Sequence, residues 1–289
     1  MQIINSIAVL RERLAAENNI IFVPTMGNLH AGHVNLVILA KQQGVANQLP
    51  CVVVSIFVNP LQFAAHEDLA SYPRTLEADC EKLKLAGADI VFCPEVSELY
   101  PYVDVKTANL GQTMTITLPS IANELCGATR PGHFAGVATV VLKLFNIVKP
   151  TTAIFGKKDF QQLFIIRELV RQFNLPINII AANTEREADG LAMSSRNGYL
   201  TTKERVKAAE LKKTLAHIVH QLQKNYMRFA EVEQQGIQQL TEQGWVVDYI
   251  SIRAAPTLLA AQSGDKVLVV LGAARLGKTR LIDNIEFSV

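Results

Sequence analysis

Short apolar segments rich in β-branched residues alternate with amphipathic helical patterns through the N-terminal part of the chain. The predicted strands cover residues 20–23, 51–58, 89–92, 153–155 and 177–181. The predicted helices cover residues 34–44, 74–87, 137–148 and 159–173. Strands that are apolar on both faces and separated by helices are typical of a parallel sheet covered on both sides. The sequence therefore predicts an α/β fold.

The pattern changes after about residue 183, where the alternation of strands and helices ends. Thr201 and Glu204 have the spacing of a capping box and precede a Lys-rich helix to about residue 223. A second helix is predicted over about residues 230–243, and further strands over residues 245–252, 266–271 and 280–287. We therefore expect two domains, a parallel-sheet domain of residues 1–183 and a smaller α+β domain of residues 184–289.

Composition and charge argue against several classes of protein. With 28 Lys and Arg against 26 Asp and Glu, the net charge of +2 argues against a dedicated nucleic-acid binder. The four cysteines contain no C-x-x-C pair, which argues against a zinc site or a disulfide framework. No window holds the roughly 20 apolar residues of a membrane span, and the N-terminus does not resemble a signal peptide. We expect a cytoplasmic protein.

Two histidines, His30 and His33, lie three residues apart in the segment PTMGNLHAGH, between a predicted strand and a predicted helix. This predicts that both imidazoles lie at a helix N-terminus, where free N–H groups and the helix dipole favour phosphate. Gly27 and Gly32 allow phosphate to approach the backbone. The histidines could donate to phosphate oxygens as charge develops. Two surface histidines on a loop are an equally good interpretation of this short pattern alone.

Two other segments place polar side chains after a strand or before a helix. Asn59 and Gln62 follow the second predicted strand, and amides suit a hydroxy acid that is bound by its hydroxyl and carboxylate groups. Arg130 and His133 lie in a glycine-rich loop and are candidate anion contacts. An ordinary Asn-Pro turn and a structural loop with a solvated arginine are the alternative interpretations.

Two later segments also carry candidates for phosphate binding. Lys158 follows a predicted strand and could pair with phosphate, while Asp159 could cap the helix or contact Mg²⁺ and Gln162 lies one turn further on. A pair of serines and an arginine at positions 194–196 could hold the outer phosphates of a nucleotide. Surface charges with an ordinary N-cap, and a Ser-rich turn, are the alternatives.

The segment of residues 272–279 matches the phosphate-loop pattern G-x-x-x-x-G-K-[ST]. A working phosphate loop leads into a helix that packs on a parallel sheet. The residues after Thr279 have the pattern of a final strand instead, so we interpret the match as coincidence.

Seven segments together resemble the pantothenate synthetase family. They are PTMGNLHAGH at 24–33, FVNPLQF at 57–63, YPRTLEAD at 72–79, LCGATRPGHFAGV at 125–137, FGKKDFQQ at 155–162, READGLAMSSRN at 186–197 and AARLGKTRLIDNI at 273–285. The resemblance spans nearly the whole chain, whereas H-x-G-H alone is shared by a wider nucleotidyltransferase superfamily. It implies a Rossmann-like domain of the H-I-G-H nucleotidyltransferase type, a small C-terminal lid and a homodimer.

The resemblance also implies a two-step reaction without a protein nucleophile. The carboxylate of pantoate attacks the α-phosphorus of Mg-ATP to give pantoyl adenylate and pyrophosphate, and the amine of β-alanine then displaces AMP. Catalysis would depend on positioning the reactants and neutralising the phosphates. ATP, pantoate and β-alanine are thus the expected partners, with Mg²⁺ accompanying ATP.

Site residues follow from the resemblance position by position. Those implied to contact ATP are Met26, Gly27, Asn28, Leu29, His30, Ala31, Gly32, His33, Gly156, Lys157, Lys158, Asp159, Glu185, Met193, Ser194, Ser195 and Arg196. Those implied to contact pantoate are Met26, Asn59, Gln62, Arg130, His133 and Gln162, and Gln62 also approaches β-alanine. His30, His33 and Lys158 are the implied catalytic residues, and Asp79 is a candidate Mg²⁺ contact.

Two other functions stay open on the sequence. One is a nucleotidyltransferase that joins ATP to a phosphorylated cofactor precursor, and the other is an ATP-sensing module without turnover. Neutral amides at Gln62 and Gln162 favour a small hydroxy acid as the substrate, because a binding site for a phosphorylated acceptor would need more Lys or Arg residues. The chain departs from the family pattern at Asn28 and Ala31, which leaves the surroundings of the histidine loop open. It also departs at Asn183 and Glu185, which leaves the nucleotide preference open.

Overall fold

The computed structural model describes residues 1–44, 49–64, 69–104, 107, 109–224 and 228–289. Its strands are β1 (Gln2–Ile4), β2 (Ile20–Thr25), β3 (Cys51–Ile56), β4 (Ile90–Phe92), β5 (Thr152–Gly156), β6 (Asn178–Ala182), β7 (Val246–Ala254), β8 (Val267–Leu276) and β9 (Thr279–Ser288). Its helices are α1 (Ile7–Leu14), α2 (Ala31–Lys41), α3 (Leu76–Ala86), α4 (Val96–Leu99), α5 (Cys126–Thr129), α6 (His133–Val148), α7 (Phe160–Gln172), α8 (Thr202–Lys207), α9 (Glu210–Lys224) and α10 (Phe229–Glu242). Short 3-10 helices occur at Pro60–Gln62, Ser120–Asn123, Lys157–Asp159 and Ser195–Tyr199. None of the helices formed by the described residues is both long and apolar enough to cross a membrane.

The chain divides into two compact units that each contain more than one segment. The first unit consists of Met1–Ala122, Arg130–Lys157 and Gln162–Ala182. The second unit consists of Asn123–Thr129, Lys158–Gln161 and Asn183–Val289. Two short segments from earlier in the chain therefore group with the C-terminal part. The division into two domains after residue 183 stays a prediction.

Within the described residues, the first unit forms a six-stranded parallel sheet in the order β1-β4-β3-β2-β5-β6. This confirms the predicted α/β fold, and all five strands predicted for this part are present with small shifts in their ends. The sequence patterns missed β1 and α1. A strand of three residues is too short to show the periodicity on which such predictions depend.

Side chains of the central strands alternate between two separate apolar cores. Ile20 and Phe22 of β2 belong to one core, together with residues of α1, α6 and α7. Ile21 and Val23 belong to the other core, together with residues of α2 and α3. Successive side chains of a strand point to opposite faces, so this alternation shows that helices cover both faces of the sheet. The apolar strands of the sequence have no face toward solvent.

The connectivity of the sheet leaves a crevice beside β2. The chain runs outward from β2 through β3 to β4 and then returns to β5 and β6 on the other side of β2. Open α/β sheets bind ligands beyond the carboxyl ends of the strands at such a reversal. The loop of residues 26–30 follows β2, and Lys157 follows β5. The fold of the first unit thus places the histidine segment at the position where ligands bind in sheets of this kind.

The second unit has an antiparallel sheet in the order β7-β8-β9, against which α9 and α10 pack. Its core includes Leu215, Ile218, Trp245 and Val270. The described residues of this unit therefore form the small α+β arrangement that the sequence predicts. The capping box is also confirmed, because the side chains of Thr201 and Glu204 each accept the backbone N–H of the other residue.

The segment that matches the phosphate-loop pattern lies in a β-hairpin. It begins in β8, which ends at Leu276, and it ends at Thr279, the first residue of β9. Gly277 makes the turn with a φ of +58°. The two strands pair antiparallel along the whole segment, so no helix follows the glycine. The interpretation of this match as coincidence is confirmed.

We expect Glu233→Gln to stabilise the protein at neutral pH. Glu233 on α10 accepts the backbone N–H of Ile252 at 2.6 Å, and burial raises the pKa of its carboxyl group. The pKa of Glu233 is therefore higher in the folded than in the unfolded protein. As pH rises from the unfolded to the folded pKa, ionisation of Glu233 lowers the free energy of unfolding. Glutamine keeps the acceptor without the charge. Thermal unfolding should show a higher Tm for the variant at about pH 7 and no such gain below about pH 4.

Glu231→Gln is the matched control, because Glu231 is an exposed residue of the same helix. Its change in Tm should be small at both pH values, since exposed ion pairs contribute little. An equal gain for Glu233→Gln at both pH values would contradict the assigned cause.

Candidate functional site

The loop between β2 and α2 is held in place by a buried carboxylate. Asp79 on α3 is fully buried, and its two oxygens accept the backbone N–H groups of Asn28 and Leu29, each at 2.8 Å. Thr75 donates its hydroxyl to the same carboxylate at 3.1 Å. Both oxygens are thereby used inside the protein. Asp79 therefore positions this loop, and the Mg²⁺ contact that the family resemblance implies for it stays a prediction.

The same loop contains two consecutive residues in the left-handed region. Gly27 has a φ of +83° and Asn28 a φ of 51°. A Cβ on Gly27 would lie 3.1 Å from Cγ2 of Ile56 and 3.3 Å from Oδ2 of Asp79, so a larger residue would be both strained and crowded. Asparagine tolerates the left-handed region better than most residues. The departure from the family pattern at Asn28 is compatible with this turn.

His30 and His33 both use Nδ1 to complete the first turn of α2. His30 is the N-cap residue, and its Nδ1 accepts the backbone N–H of Gly32 at 3.1 Å. Nδ1 of His33 accepts the backbone N–H of His30 at 3.3 Å. A ring nitrogen that accepts a hydrogen bond does not carry the proton, so each neutral ring carries its proton on Nε2.

The two rings also lie against each other, with centroids 4.1 Å apart. The prediction that both imidazoles lie at a helix N-terminus is confirmed. The start of α2 therefore combines two adjacent Nε2–H donors with the positive end of a helix dipole. This arrangement suits an anion with several oxygens.

Asn59 is a buried support for Gln62. Its amide nitrogen donates to Oε1 of Gln62 at 3.2 Å and to the carbonyl oxygen of Gly136 at 3.1 Å. Its Oδ1 accepts the hydroxyl of Tyr100 at 2.7 Å and the backbone N–H of Leu61 at 3.4 Å. Burial raises the pKa of Tyr100, which keeps that hydroxyl a donor. All hydrogen-bonding positions of Asn59 are used within the first unit, so Asn59 positions Gln62, and its contact with pantoate stays a prediction.

Gln62 ends the 3-10 helix that follows β3, and it keeps unused hydrogen-bonding capacity. Its Nε2 donates to Sδ of Met26 at 2.9 Å, which joins the loop after β3 to the loop after β2. Within the part of the chain that the structure describes, no hydrogen bond uses the second N–H and the second lone pair of this amide. The structure therefore brings together Met26 and Gln62, two residues predicted for one small-molecule site.

His133 connects Arg130 to the same 3-10 helix. Its Nδ1 lies 2.8 Å from the carbonyl oxygen of Gln62, and its Nε2 lies 3.0 Å from Nη1 of Arg130. Arginine is always a donor, so Nε2 accepts and Nδ1–H donates to the carbonyl. Both nitrogens of His133 are thus used inside the first unit. His133 therefore helps to position Gln62, and its contact with an anion or with pantoate stays a prediction.

The carboxyl end of β5 carries further candidates of the first unit. Gly156 ends this strand, and a Cβ on it would meet nothing within 4 Å. Lys157 follows directly, and Gln162 lies in the first turn of α7 with a half-buried side chain. Among the described residues, the side chain of Gln162 has no hydrogen-bonding partner. An amide in this state is suited to bind a polar ligand.

The second unit contains Lys158 and Asp159, and neighbouring residues hold their backbone to the antiparallel sheet. The carbonyl oxygen of Lys158 accepts Nδ2 of Asn284 on β9 at 2.8 Å. Gln161 accepts the backbone N–H of Cys126 at 3.1 Å and donates to the carbonyl oxygen of Glu124 at 2.9 Å. The side chain of Lys158 is half-buried and that of Asp159 is exposed.

The loop of residues 186–197 also belongs to the second unit. Met193 donates its backbone N–H to the carbonyl oxygen of Glu185 at 2.9 Å. Ser194 begins the 3-10 helix Ser195–Tyr199, and its Oγ accepts the backbone N–H of Arg196 at 3.2 Å. The serines and the arginine that the sequence singles out therefore form one short, hydrogen-bonded turn.

Sequence reasoning missed the residues that support these candidates. Tyr100 and Gly136 hold Asn59, and Asp283 and Asn284 hold segments of the second unit. Their bonds join residues that are far apart in the chain, so no local spacing reveals them. The only signal is the occurrence of polar residues in apolar segments, as in the strand that contains Asp283 and Asn284.

Nearly the whole chain matches one family of known proteins. The family model for pantoate-beta-alanine ligase matches residues 2–286. The chain belongs to the pantoate-beta-alanine ligase family. A pantothenate synthetase from Methylobacillus flagellatus is 63% identical to this ligase over 289 residues, covering 100% of this chain and 99% of that protein. The family resemblance of the sequence is confirmed, and the chain is an enzyme of the ligase class.

Solved structures of the family share the fold of this ligase. A pantothenate synthetase from Thermus thermophilus superposes with a TM-score of 0.89 at 39% identity, covering 99% of both chains. A pantoate-beta-alanine ligase from Francisella tularensis, complexed with beta-gamma ATP and beta-alanine, superposes with a TM-score of 0.76 at 32% identity. That match covers 99% of this chain and 97% of the other. The fold of this ligase is thus that of its family.

We expect Gly136→Ala to destabilise the ligase. A Cβ at Gly136 would lie 2.4 Å from the carbonyl oxygen of Leu61 and 2.7 Å from the backbone nitrogen of Gln62. Backbone atoms cannot give way as a flexible side chain can, so α6 and the 3-10 helix must separate. Overpacking of this kind costs about 2 kcal/mol. Thermal unfolding should show a Tm lower by roughly 5 °C.

Gly156→Ala is the matched control for this measurement, because a Cβ on Gly156 meets nothing within 4 Å. Its Tm should stay near that of the wild type. A Gly136→Ala variant that unfolds at the wild-type temperature would contradict the close approach of α6 to residues 61 and 62.

Proposed function

We propose that this ligase condenses pantoate with β-alanine through a pantoyl-adenylate intermediate, using ATP and releasing AMP and pyrophosphate. The observation that carries the proposal is the family match over residues 2–286. The related ligase from Francisella tularensis, complexed with beta-gamma ATP and beta-alanine, supports ATP and β-alanine as substrates. We also propose that the ligase acts as a homodimer in the cytoplasm, as the family resemblance implies.

The first step forms a mixed anhydride. A carboxylate oxygen of pantoate bonds to the α-phosphorus of ATP, and the bond from that phosphorus to the bridging oxygen of pyrophosphate breaks. Negative charge grows on the oxygens around the reacting phosphorus and on the leaving group. We assign His30 and His33 to these oxygens, because their Nδ1 atoms are held by backbone N–H groups and their protons lie on Nε2. The dipole of α2 also stabilises negative charge at the N-terminus of this helix.

Pantoate is assigned to the amide residues of the first unit. Gln62 is held by Asn59 and by Met26, so its remaining N–H and lone pair have a fixed direction. An amide offers both a donor and an acceptor, which suits the hydroxyl and carboxylate groups of pantoate. Gln162 is assigned to the same substrate. Orientation of this kind accounts for much of the rate of a reaction without a protein nucleophile.

The second step consumes the intermediate. The nitrogen of β-alanine bonds to the acyl carbon of pantoyl adenylate, the acyl–oxygen bond breaks, and AMP leaves while the new ammonium loses a proton. We assign Gln62 to β-alanine as well, because the nitrogen of β-alanine must reach the acyl carbon of the pantoyl group that Gln62 orients. Adenosine is assigned to the backbone near Gly156 and Glu185.

The outer phosphates of ATP are assigned to Lys158, Ser194, Ser195 and Arg196 of the second unit. Mg²⁺ is treated as part of the ATP substrate, and Asp79 stays the candidate protein contact for it. Among the described residues, no three His, Cys, Asp or Glu side chains are grouped as a metal site would require. Both oxygens of Asp79 already accept backbone N–H groups. Mg²⁺ commonly keeps several waters and binds through substrate phosphates.

Exchange of labelled pyrophosphate into ATP tests the proposed function. The wild type should catalyse exchange that depends on pantoate and does not require β-alanine, because adenylation is reversible before the amine arrives. Folded protein that binds ATP without exchange would contradict the proposal and favour an ATP-sensing module. Exchange that depends on a phosphorylated acceptor and not on pantoate would favour a nucleotidyltransferase.

Two substitutions at His33 separate its two ring nitrogens. In His33→Asn, Oδ1 takes the place of Nδ1 as acceptor for the backbone N–H of His30, and the Nε2–H donor is lost. In His33→Gln, the amide nitrogen takes the place of Nε2. We expect His33→Asn to fold normally and to lose about 10²-fold to 10³-fold in exchange rate, and His33→Gln to keep more of the rate. Wild-type exchange by His33→Asn would refute the assignment.

Lys158→Ala should reduce the exchange rate without unfolding the protein. The variant loses the ammonium group that we assign to the phosphates. It keeps the backbone carbonyl oxygen of residue 158, which accepts the hydrogen bond from Asn284. Removing one charged contact to the transferring phosphate should cost about 10²-fold in rate. Lys278→Ala is the control, because Lys278 is exposed in the hairpin turn and should leave the KM for ATP unchanged. An equal loss of exchange rate in Lys278→Ala would contradict a specific role of Lys158.

A further inference from the structure

We propose that two adjacent residues of β9, Asp283 and Asn284, position both phosphate-binding segments of the second unit. One segment contains Lys158, and the other is the loop of residues 186–197, which carries the two serines and the arginine. The inference rests on the proposed function, to which it adds two positioning residues. Both residues act through other residues and not through contact with a substrate.

Asn284 holds the first segment by its backbone. Its side chain is buried, and Nδ2 donates to the carbonyl oxygen of Lys158 at 2.8 Å. Lys158 lies in the 3-10 helix Lys157–Asp159. A fixed carbonyl restricts the backbone from which the lysine side chain extends. Asn284 therefore limits the directions in which the ammonium group can approach phosphate.

Asp283 holds the second segment through a buried ion pair. Its carboxylate, 3% exposed, accepts both terminal nitrogens of Arg186, at 2.7 and 2.9 Å. Arg186 also donates to the carbonyl oxygen of Gly190 at 3.0 Å, which closes the turn at the base of the loop. Oδ1 of Asp283 accepts the backbone N–H of Asn284 at 2.8 Å as well. The loop is thus tied to β9 by a two-point contact of fixed geometry.

The two contacts lie on opposite faces of the same strand. Asp283 pairs with Gly272 of β8, and a Cβ on Gly272 would meet Leu211 and Leu215 of α9. Paired residues share a face, so Asp283 lies on the face that α9 covers, and the adjacent Asn284 lies on the other. One strand therefore sets the positions of both segments. A shift of β9 would move the lysine and the serine turn together.

Stability alone does not account for these two residues. A buried ion pair is weak evidence for stability, because replacing both partners with apolar residues is often neutral or favourable. Nearby positions of β9 such as Leu281 and Ile285 are apolar and pack in the core of the second unit. Polar residues at two consecutive positions of this strand instead give directional bonds. Hydrogen bonds and ion pairs fix the position of a bonded segment more narrowly than the packing of apolar side chains does.

A double substitution tests the role of Asp283. Arg186→Met with Asp283→Leu removes the ion pair without leaving a buried charge, so the Tm should stay near the wild-type value or rise. If the pair positions the loop, the KM for ATP in pantoate-dependent exchange should rise about tenfold while the KM for pantoate stays unchanged. Glu210→Gln with Lys213→Gln is the matched control, since it removes an exposed ion pair of α9 in the same unit.

Asn284→Ala and Asn284→Asp test the other contact. Alanine removes the donor, and aspartate places an acceptor against the carbonyl oxygen of Lys158. Both should lower kcat for exchange, by about tenfold for alanine and further for aspartate, with the KM for pantoate unchanged. If Asn284 had only a structural role, its variants would contain less folded protein, and the folded part would keep the wild-type kinetic constants. Active-site titration with pantoate and ATP measures the fraction of folded, active protein.

The outcomes separate this inference from the proposed function. Absence of pantoate-dependent exchange in the wild type would contradict the proposed function itself. Normal exchange in the wild type, together with unchanged KM for ATP in the double variant and unchanged kcat in the folded Asn284 variants, would overturn the positioning role alone. A changed KM for ATP and kcat in proteins with a wild-type Tm would support it.

Discussion

The buried carboxylate of Asp79 is the interaction on which the candidate site of the first unit depends. An ionised carboxylate is expensive to bury unless hydrogen bonds replace its water. Here the backbone N–H groups of Asn28 and Leu29 and the hydroxyl of Thr75 do so, and bonds to a charged group are among the stronger ones. The carboxylate thereby fixes the loop that connects β2 to α2. The direction in which α2 presents its N-terminus follows from this loop.

The same principle recurs wherever a candidate residue is supported. Asn59 and His133 use their polar atoms within the first unit, and Asp283 and Asn284 do so within the second. Gln62 and Gln162, which we assign to pantoate, keep amide hydrogen-bonding positions that no hydrogen bond of the described residues uses, and His30 and His33 have their protons in a defined place. A reaction without a protein nucleophile depends on such preorganised groups, because their orientation is set before the substrate binds. Buried polar residues therefore contribute to function here mainly by restricting motion.

Much of the fold was predictable from the sequence, because apolar strands and amphipathic helices carry their own periodicity. The segments that resemble the family also gave the chemistry and the candidate residues. The roles of Asp79, Asn59 and His133 needed the structure. Each sequence segment shows that a polar residue is present but not whether its atoms are already used by a partner far away in the chain. The hydroxyl that saturates Asn59 comes from Tyr100, and nothing in FVNPLQF indicates it.

The tautomers of His30 and His33 test this account most directly, because the proposed chemistry requires that both rings present Nε2–H. Long-range ¹H–¹⁵N correlation spectra of the ¹⁵N-labelled ligase at mildly alkaline pH distinguish protonated from unprotonated ring nitrogens. The chain has six histidines, so single His→Gln variants suffice for assignment. The account predicts an unprotonated Nδ1 and a protonated Nε2 in both rings. A protonated Nδ1 in either ring would contradict the hydrogen bonds that order the start of α2, and with them the assigned donors.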